Sequence, residues 1–573
     1  MNSEQYSRAK IVLILIVMGA MVIAVSLYWT QIVRGKSYAT KANEQYVKPL
    51  NTLFDRGSMY FQSKDGTKAS AATLESGFII FMNPTVIANP VQVYEALSQY
   101  IKLNETDFLA KAGKPNSHYE VLVDQTDAVV AQSVKNLLIN GVSVIPKTWR
   151  SYPGGSLAAH TLGIVGEDSK SSSVTGRYGL ERVYEDVLSR SGSSNNINVF
   201  AELFSGLRNT IFGGSSKKEG DIIMTVEPTV ERYLERVLVQ TNTIWRPDEI
   251  GGIVIDPKTG EIIAMSSLPT FNPNNTSSIK NISILSNPLV ESAYEMGSIM
   301  KPLTMAAALD SGTEKPHSTY DDTGTMTLSG KKISNYDGKA RGIIPMQEIL
   351  SQSLNVGAAT IALKMGKEVF VKYFTEFGLG EKTGIDQPFE SAGIATNLKT
   401  GRDVEIATMA YGQGISISPI SMTRVLSVLA NGGYLVTPHL MKEIDYSDGT
   451  IKKNQPQRSG PVLSKETTDS VTGMLVKVVD EKIAVSHPNI RMERYSIAAK
   501  TGTAQIADKS GGYYSDRYLH SFFGYFPAYD PEFLVFLYQV YPKGAEYASE
   551  TLTDPFSDLA KFLISYYNIV PDR

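Results

Sequence analysis

A long uncharged apolar segment near the N-terminus constrains this chain more than any other feature of its sequence. All nineteen residues from Ile11 to Trp29 lack charge, and the segment closes with Tyr28 and Trp29. About 20 apolar residues cross the hydrocarbon core of a bilayer as a helix, and aromatic side chains favour its interface. The segment lacks the polar face of a typical core helix, and it is longer than the apolar part of a cleaved signal peptide, with no A-x-A site after it. The sequence therefore predicts one uncleaved transmembrane anchor at residues 11–30, preceded by a tail of residues 1–10.

Charges on the two sides of the anchor leave its orientation open. Arg8 and Lys10 precede it, whereas Arg34, Lys36 and Lys41 follow it. An excess of Lys and Arg normally marks the cytoplasmic side, but here neither side has a clear excess. The side on which the rest of the chain works must therefore be inferred from its function.

Length and composition bound that function. The 573 residues, 42% of them hydrophobic, are enough for two or three packed domains. A formal charge of only -3 gives no electrostatic reason to expect a nucleic-acid partner. The absence of cysteine excludes disulfides, thiolate metal sites and cysteine nucleophiles. The six histidines show no HExxH or HxxxH spacing, so no metal site is expected, although carboxylate sites stay open.

The pattern of apolar and polar residues changes near residue 220. Residues 31–220 show short strands and helices broken by polar stretches, which predicts a separate first domain. Residues 221–573 open with a strand, an amphipathic helix and a hairpin, Ile253–Ile255 with Ile262–Met265. Apolar helical stretches and later strand-like runs follow at 303–309, 356–363, 422–430, 495–499, 521–526 and 533–541. Strands at both ends with helices between them predict an α+β domain whose terminal strands meet.

Three short motifs in the second domain point to one kind of chemistry. They are Ser298-Ile-Met-Lys301, Ser353-Leu-Asn355 and Lys500-Thr-Gly502. A serine hydroxyl needs a base, which a lysine three residues later on the same helical face can supply. Burial and a second cation, Lys500, would lower the pKa of Lys301 so that it acts as a neutral amine. The motifs together predict a serine nucleophile.

The second motif and the start of the first helix agree with this prediction. Ser353 could relay a proton to the leaving amine, and Asn355 could hold both the lysine and a substrate amide. Pro302 is tolerated only in the first helical turn, so the helix should begin near Ser298. The nucleophile would then lie at the positive end of a helix, where its own N–H could form half of an oxyanion hole.

Each motif alone is a weak signal. The SxxK pattern also occurs at Ser7, Ser215, Ser277 and Ser329, and KTG recurs at Lys258, Lys382 and Lys399. Only Lys500 directly follows an apolar strand-like run and precedes small residues that would let a substrate backbone pair with an edge strand.

Taken together, these segments resemble the class B penicillin-binding proteins, the monofunctional transpeptidases of bacterial cell-wall synthesis. The catalytic segments are Tyr294-Glu-Met-Gly-Ser298-Ile-Met-Lys-Pro-Leu-Thr304, Leu350-Ser-Gln-Ser-Leu-Asn-Val-Gly357 and Ala499-Lys-Thr-Gly-Thr-Ala-Gln505. Segments at 256–265, 411–414 and 430–433 are also similar to family segments. In the first domain, Arg56-Gly57, Arg150-Ser-Tyr-Pro153, Ala158-Ala-His-Thr-Leu-Gly163 and Gly179-Leu-Glu181 resemble the family's pedestal.

The resemblance implies an α+β fold: a transpeptidase domain like that of penicillin-binding proteins and serine β-lactamases, with an antiparallel sheet and helices, at residues 221–573. A β-rich pedestal, similar to the dimerisation domain of these proteins, is implied at residues 31–220. It also implies a single-pass protein of the bacterial cytoplasmic membrane, with a cytoplasmic N-terminus and an extracytoplasmic catalytic domain.

The resemblance further implies a role for each site residue. Ser298 would be the acylated nucleophile and Lys301 its base, with Ser353, Asn355 and Lys500 completing the catalytic network. The third motif would bind substrate through Thr501, Gly502 and Thr503, with the two threonines on the substrate carboxylate. The N–H groups of Ser298 and Thr503 would form the oxyanion hole. No metal or organic cofactor is implied.

The implied reaction is D,D-transpeptidation of peptidoglycan stem peptides, which β-lactam antibiotics would block. Val-Gly-Ala after the second motif and the chain length are closest to the division-septum (FtsI-like) members, which implies septal synthesis with a SEDA-type glycosyltransferase and other division proteins. Two alternatives stay open: a D,D-carboxypeptidase or β-lactam hydrolase of the same fold, and a catalytically idle division scaffold.

Departures from the family pattern are Met296, Ile299-Met300, Leu354, Glu227 and the segment 550–556. The bulky Met and Leu side chains are expected to alter substrate or drug preference at the cleft.

Overall fold

The computed structural model describes residues 55–167, 174–190, 218–508 and 511–573, with a few isolated positions nearer the N-terminus. Most of the predicted anchor at residues 11–30 lies outside the described residues. Within the described ranges, no helix has both the length and the apolar character needed to cross a membrane. The chain divides into two compact units, and the described part of the smaller one is Ser76–Thr148.

The smaller unit consists of strands with three helices around an apolar core. The strands Lys68–Met82 and Val142–Ser151 each contribute residues to it, and Lys68–Met82 pairs antiparallel with Glu120–Thr126. The helices are Pro90–Ser98, Glu105–Ala112 and Ala128–Asn136, each capped by an Asn or Asp that accepts a hydrogen bond from the first turn. Their apolar faces cover Ile80 and Met82.

A five-stranded antiparallel sheet organises the larger unit. Its strands are β1 (Glu249–Ile255), β2 (Ile262–Leu268), β3 (Ala498–Ala507), β4 (Tyr513–Phe526) and β5 (Phe533–Val540). The spatial order is β3-β4-β5-β1-β2. The first hairpin therefore joins the last strand, which confirms the predicted α+β arrangement in which the two ends of the domain meet.

Two principal helices cover one face of this sheet, and the sequence explains the cap of the first. Helix α1 (Pro228–Trp245) begins at Pro228, and the Glu227 carboxylate accepts the N–H of Val230. It packs against β2 with a buried apolar face. Helix α5 (Ala548–Tyr567) packs on β4, where Phe556 stacks on Phe522 with ring centroids 4.7 Å apart.

On the other side of the sheet, α4 (Lys465–Val478) packs on β3, α2 (Lys301–Asp310) packs against α4, and α3 (Asn355–Met365) packs against α2. A π-helical stretch, Val479–Ile483, follows α4. Other helices of the larger unit are Ala159–Leu162, Gly179–Val183, Glu185–Leu188, Pro288–Glu291, Gln347–Ser351, Lys367–Glu376, Thr396–Thr400, Asp403–Met409, Pro419–Ala430 and Ala484–Ser486.

Smaller ladders complete the larger unit. Met59–Gln62 pairs parallel with Gly220–Met224, and Gly220–Met224 pairs antiparallel with Met441–Tyr446. Met441–Tyr446 also pairs antiparallel with Ile451–Lys453. Two-stranded ladders join Thr319–Asp322 to Gly342–Pro345, Thr325–Leu328 to Lys331–Ser334, Leu435–Val436 to Arg458–Ser459 and Val165–Glu167 to Val174–Gly176.

Most predicted elements of the second domain lie inside observed ones, but one strand is displaced. The run Tyr495–Ala499 was expected to be a strand, whereas β3 begins at Ala498 and continues to Ala507. The apolar pattern failed there because β3 pairs through small residues such as Gly502, which lies opposite Ser521. The KTG motif therefore lies within the strand, and β3 is the edge strand that the motif predicted.

A buried ion network lies in the part of the first sequence domain that belongs to the larger unit. The Glu181 carboxylate accepts a 2.6 Å bond from Arg56 Nε on one oxygen and a 2.6 Å bond from Arg150 Nε on the other. All three side chains are at most 1% exposed. Burial alone would raise the pKa of Glu181, but the charges of Arg150 and Arg56 lower it.

We expect Glu181→Ala to lower the free energy of unfolding by about 3–5 kcal/mol, because the buried Arg150 would lose its carboxylate partner and the buried Arg56 would keep only Glu185. Chemical denaturation of the purified full-length chain in detergent measures the change. Asp469→Ala, which removes the exposed Lys465–Asp469 pair, is the control and should leave the transition unchanged. Equal shifts in both variants would contradict the prediction.

Candidate active site

The first motif lies where a short 3-10 turn becomes a helix. Gly297–Met300 forms the 3-10 turn, and α2 begins directly after it at Lys301. Ser298 lines an open cleft of about 610 Å³, whereas Lys301 is 1% exposed. Lys301 Nζ lies 2.8 Å from Ser298 Oγ, because one turn of helix brings residues three apart onto the same face.

The Lys301 amine is surrounded by oxygen atoms, two of which can only accept hydrogen bonds from it. It donates to the Ser353 carbonyl at 2.7 Å and to Asn355 Oδ1 at 2.7 Å. Asn355 Nδ2 donates to the Ser334 carbonyl at 3.0 Å, which turns Oδ1 toward the lysine. A neutral amine has two N–H groups, and these two acceptors use both. Its lone pair is then left for the hydroxyl proton of Ser298.

The electrostatic environment favours the neutral form of this amine. Burial, and after it the charge of Lys500, lower the pKa of Lys301 well below its usual range. Burial also lowers the pKa of Lys500, to about 7. Burial and the charge of Lys500 together therefore favour the neutral amine of Lys301, which is the form that can accept a proton.

Ser353 connects the two lysines. Its Oγ lies 3.2 Å from Lys301 Nζ and accepts a 3.1 Å bond from Lys500 Nζ. The residue adopts a left-handed backbone conformation, with φ of 56°, in the turn between two helices. This turn aims both the Ser353 hydroxyl and its carbonyl at Lys301.

The third motif brings the edge strand against Ser298. Lys500 is 2% exposed and also donates to the Thr501 carbonyl at 3.0 Å. Thr501 and Thr503 line the cleft, and Thr503 Oγ1 accepts the Ala548 N–H at 3.0 Å. The structure thus brings together all eight residues that the sequence indicated, with Gly502 buried between the threonines.

Glycine is required where these segments touch. A Cβ on Gly297, which has a φ of +65°, would lie 2.6 Å from the Thr503 carbonyl oxygen. A Cβ on Gly502 would lie 2.4 Å from Ser521 Oγ and 2.7 Å from the Met296 carbonyl oxygen. Real Cβ contacts are not this short, so the close approach of β3 to the nucleophile depends on both glycines.

Several cleft residues were not found from the sequence. Tyr411 and Gln413 lie in a segment noted only for its family resemblance. Lys482 enters the cleft from the π-helical stretch, which no local sequence pattern indicated. Other lining residues are Tyr336, Tyr518, Glu546 and Tyr547.

The expected effect of the bulky substitutions on the cleft is not supported by their positions. Met296, Ile299, Met300 and Leu354 are all fully buried and belong to the core of the larger unit. They contribute to packing beneath the motifs, because the backbone turns point the polar residues rather than these side chains at the cleft.

Comparisons with known proteins agree with this geometry. The family described as "Penicillin binding protein transpeptidase domain" matches residues 250–560, and "Penicillin-binding Protein dimerisation domain" matches residues 56–202. Stage V sporulation protein D of Bacillus subtilis is 31% identical over 561 residues, 97% of this chain and 84% of its own length. Peptidoglycan D,D-transpeptidase FtsI of Buchnera aphidicola is 26% identical over 562 residues, 96% and 94% of the two chains. The crystal structure of penicillin-binding protein 2X from Streptococcus thermophilus aligns with a TM-score of 0.71 at 21% identity, covering 90% of this chain and 79% of that one.

The fold and the site together define a penicillin-binding transpeptidase, which is a serine acyltransferase. More narrowly, the chain belongs to the class B penicillin-binding proteins, which join a dimerisation domain to a transpeptidase domain. Its activity is that of a peptidoglycan D,D-transpeptidase.

We expect Lys301→Met to reduce the rate of acylation by a penicillin about 10³-fold, because the base is lost while the buried stem is kept. Stopped-flow or mass-spectrometric acylation rates of the full-length chain measure this. Lys364→Met, on the exposed side of α3, is the control and should acylate normally. A Lys301→Met rate within about tenfold of the native rate would rule out this lysine as the principal base.

The pH dependence should report the interaction between the two lysines. The acid limb of the acylation rate reflects protonation of Lys301, whose pKa is lowered by burial and by Lys500. Lys500→Met removes that repulsion, so the pKa of Lys301 rises and the acid limb moves to higher pH. Rates measured between about pH 5 and 9 show the shift. An acid limb that moves to lower pH would contradict the assignment.

Proposed function

We propose that Ser298 attacks the carbonyl carbon of the penultimate D-alanine of a donor stem peptide. The observation that supports this most strongly is the Lys301 amine, whose two donors are occupied and whose nearest hydroxyl is Ser298 Oγ at 2.8 Å, against 3.2 Å for Ser353 Oγ. The serine proton passes to Lys301 as the new C–O bond forms. The peptide C–N bond then breaks, and the departing D-alanine nitrogen takes a proton through Ser353.

The second half-reaction reverses these roles. The amine of an acceptor stem peptide attacks the acyl-enzyme ester, its proton passes to the same network, and Ser298 recovers its hydroxyl proton. Thr501 and Thr503 are the proposed ligands of the donor carboxylate, and Asn355 the ligand of a substrate amide. The support for these roles is their exposure in one cleft beside Ser298.

We propose the domain organisation and location that the sequence suggested: a cytoplasmic tail (1–10), an anchor (11–30), a pedestal (31–220) and an extracytoplasmic transpeptidase domain (221–573). The uncharged run from Ile11 to Trp29 and the two family matches support this proposal. We further propose that the anchor contacts a SEDA-type glycosyltransferase. Co-purification that persists after replacement of residues 11–30 would count against that contact.

For the biological role we propose septal peptidoglycan synthesis during cell division. Similarity to a protein named FtsI over 96% of the chain supports it. A second candidate is synthesis during sporulation, which the name of the 31%-identical Bacillus subtilis relative favours. Depletion of the protein separates them: filaments without septa would favour division, and normal division with defective spores would favour sporulation.

The acyl-enzyme is tested by intact-mass spectrometry of the full-length chain after incubation with benzylpenicillin. We expect one covalent adduct that maps to Ser298 and is absent from Ser298→Ala, because the Ser298 hydroxyl lies closer to the Lys301 amine, at 2.8 Å, than the Ser353 hydroxyl does, at 3.2 Å. No adduct on folded native protein would instead favour an idle scaffold.

The transferase is separated from a hydrolase by supplying a donor peptide ending in D-Ala-D-Ala together with an amine acceptor. Cross-linked product is expected, since the acyl-enzyme should pass to the amine. Hydrolysis alone at a saturating amine concentration would favour a D,D-carboxypeptidase.

A further inference from the structure

A row of polar side chains crosses the central sheet beside the cleft. Thr503 on β3 lies directly opposite His520 on β4, and His520 lies opposite Gln539 on β5. Directly opposed residues of antiparallel strands project from the same face of a sheet. This is the face that α5 covers, because Phe522, two residues after His520, stacks on Phe556. His520 is completely buried there.

The hydrogen bonds of His520 fix its tautomer. Nε2 lies 3.0 Å from the Glu546 carbonyl oxygen, and a carbonyl can only accept, so Nε2 carries the proton. Nδ1 lies 2.8 Å from Thr551 Oγ1 and accepts from that hydroxyl. Burial lowers the pKa of His520 to about 4, which keeps the ring neutral. The ring therefore joins two points of one segment, the loop before α5 and its first turn.

That segment ends at the cleft. Glu546 and Tyr547 line the cleft, and Ala548 is the first residue of α5. The Ala548 N–H bonds to Thr503 Oγ1 at 3.0 Å. Because this bond occupies a lone pair of the Thr503 oxygen, the hydroxyl proton is left to donate toward the cleft. The helix N-terminus also strengthens that donation, since its N–H groups carry partial positive charge.

We propose that His520 is a positioning residue for transpeptidation, which holds the Glu546 carbonyl and so keeps the Ala548 N–H on the Thr503 hydroxyl that faces the substrate carboxylate. The proposal rests on the substrate-binding role proposed above for Thr503. Without the imidazole, the loop before α5 loses its hydrogen bond to His520, and the Thr503 side chain is no longer held in position by the Ala548 N–H. His520 itself touches no reacting atom.

The test measures the second-order rate of acylation by benzylpenicillin, a carboxylate-bearing substrate analogue, on the full-length protein in detergent. We expect His520→Ala to slow acylation about 10- to 100-fold, since a small misplacement of a positioning group has effects of this size. His520→Gln keeps an N–H donor at the ε position and should recover most of the rate. His520→Asn is too short to reach the Glu546 carbonyl and should not.

His160 provides a matched control. It is also a buried histidine, 5% exposed, with Nε2 2.9 Å from a backbone carbonyl, that of Ile284, and it lies outside the cleft lining. Its pKa is lowered by burial to about 4, as for His520. His160→Ala should therefore acylate at the native rate even where it lowers the unfolding temperature.

A double-mutant cycle with Thr503→Val distinguishes positioning from general support. If His520 acts through the Thr503 hydroxyl, His520→Ala should add less than about twofold in the Thr503→Val background. Equal factors in both backgrounds would overturn the proposal, as would equal rates for folded His520→Gln and His520→Asn. The absence of a Ser298 adduct on the native protein would instead refute the proposed function, so the two failures are distinguishable.

Discussion

The pairing of β5 with β1 is the contact on which the rest of the catalytic unit depends. Leu534 lies opposite Ile255, so a strand at the end of the chain closes against one at the start of the domain. This pairing fixes β4 and β3 beside it and places the KTG motif on the free edge. The helical segments with the other two motifs lie between the paired strands in sequence and are held against that edge. Loop closure over such a distance is entropically costly, and the fully buried strands compensate for it.

The chemistry of the site depends on two buried lysines, because burial disfavours the charged form of their amines. Removing an ammonium group from water is unfavourable, and a second cation nearby makes it more so. Lys301 bears both effects, whereas Lys500 is affected chiefly by burial. The same fixed oxygens that satisfy the hydrogen bonds of Lys301 also direct its lone pair. Burial and Lys500 therefore set the acid–base strength of Lys301, whereas the fixed oxygens set the orientation of its amine.

The sequence was informative where function depends on a few residues close together and less so where distant ones meet. The spacing of Ser298 and Lys301 predicted their contact, because three residues make about one helical turn. The family resemblance noted Arg56 and Glu181 separately, but their ion pair joins positions 125 residues apart, which no local pattern encodes. His520 gave no signal, since an alternating strand with one histidine is typical of an ordinary core. The continuation of β3 beyond Ala499 was missed because Thr501, Gly502 and Thr503 stand there in place of the expected apolar residues.

Ser353 combines two requirements that oppose one another. Its left-handed backbone, with φ of 56°, costs an L-residue roughly 1–2 kcal/mol and is free only to glycine. The proposed proton transfer nevertheless uses a hydroxyl at that position, between the two lysines. Variants selected only for thermal stability would therefore be expected to carry glycine or asparagine at position 353. Such variants would be more stable but would lack the hydroxyl of the proposed reaction. Stability and catalytic turnover thus make opposite demands on the residue that adopts this one backbone angle.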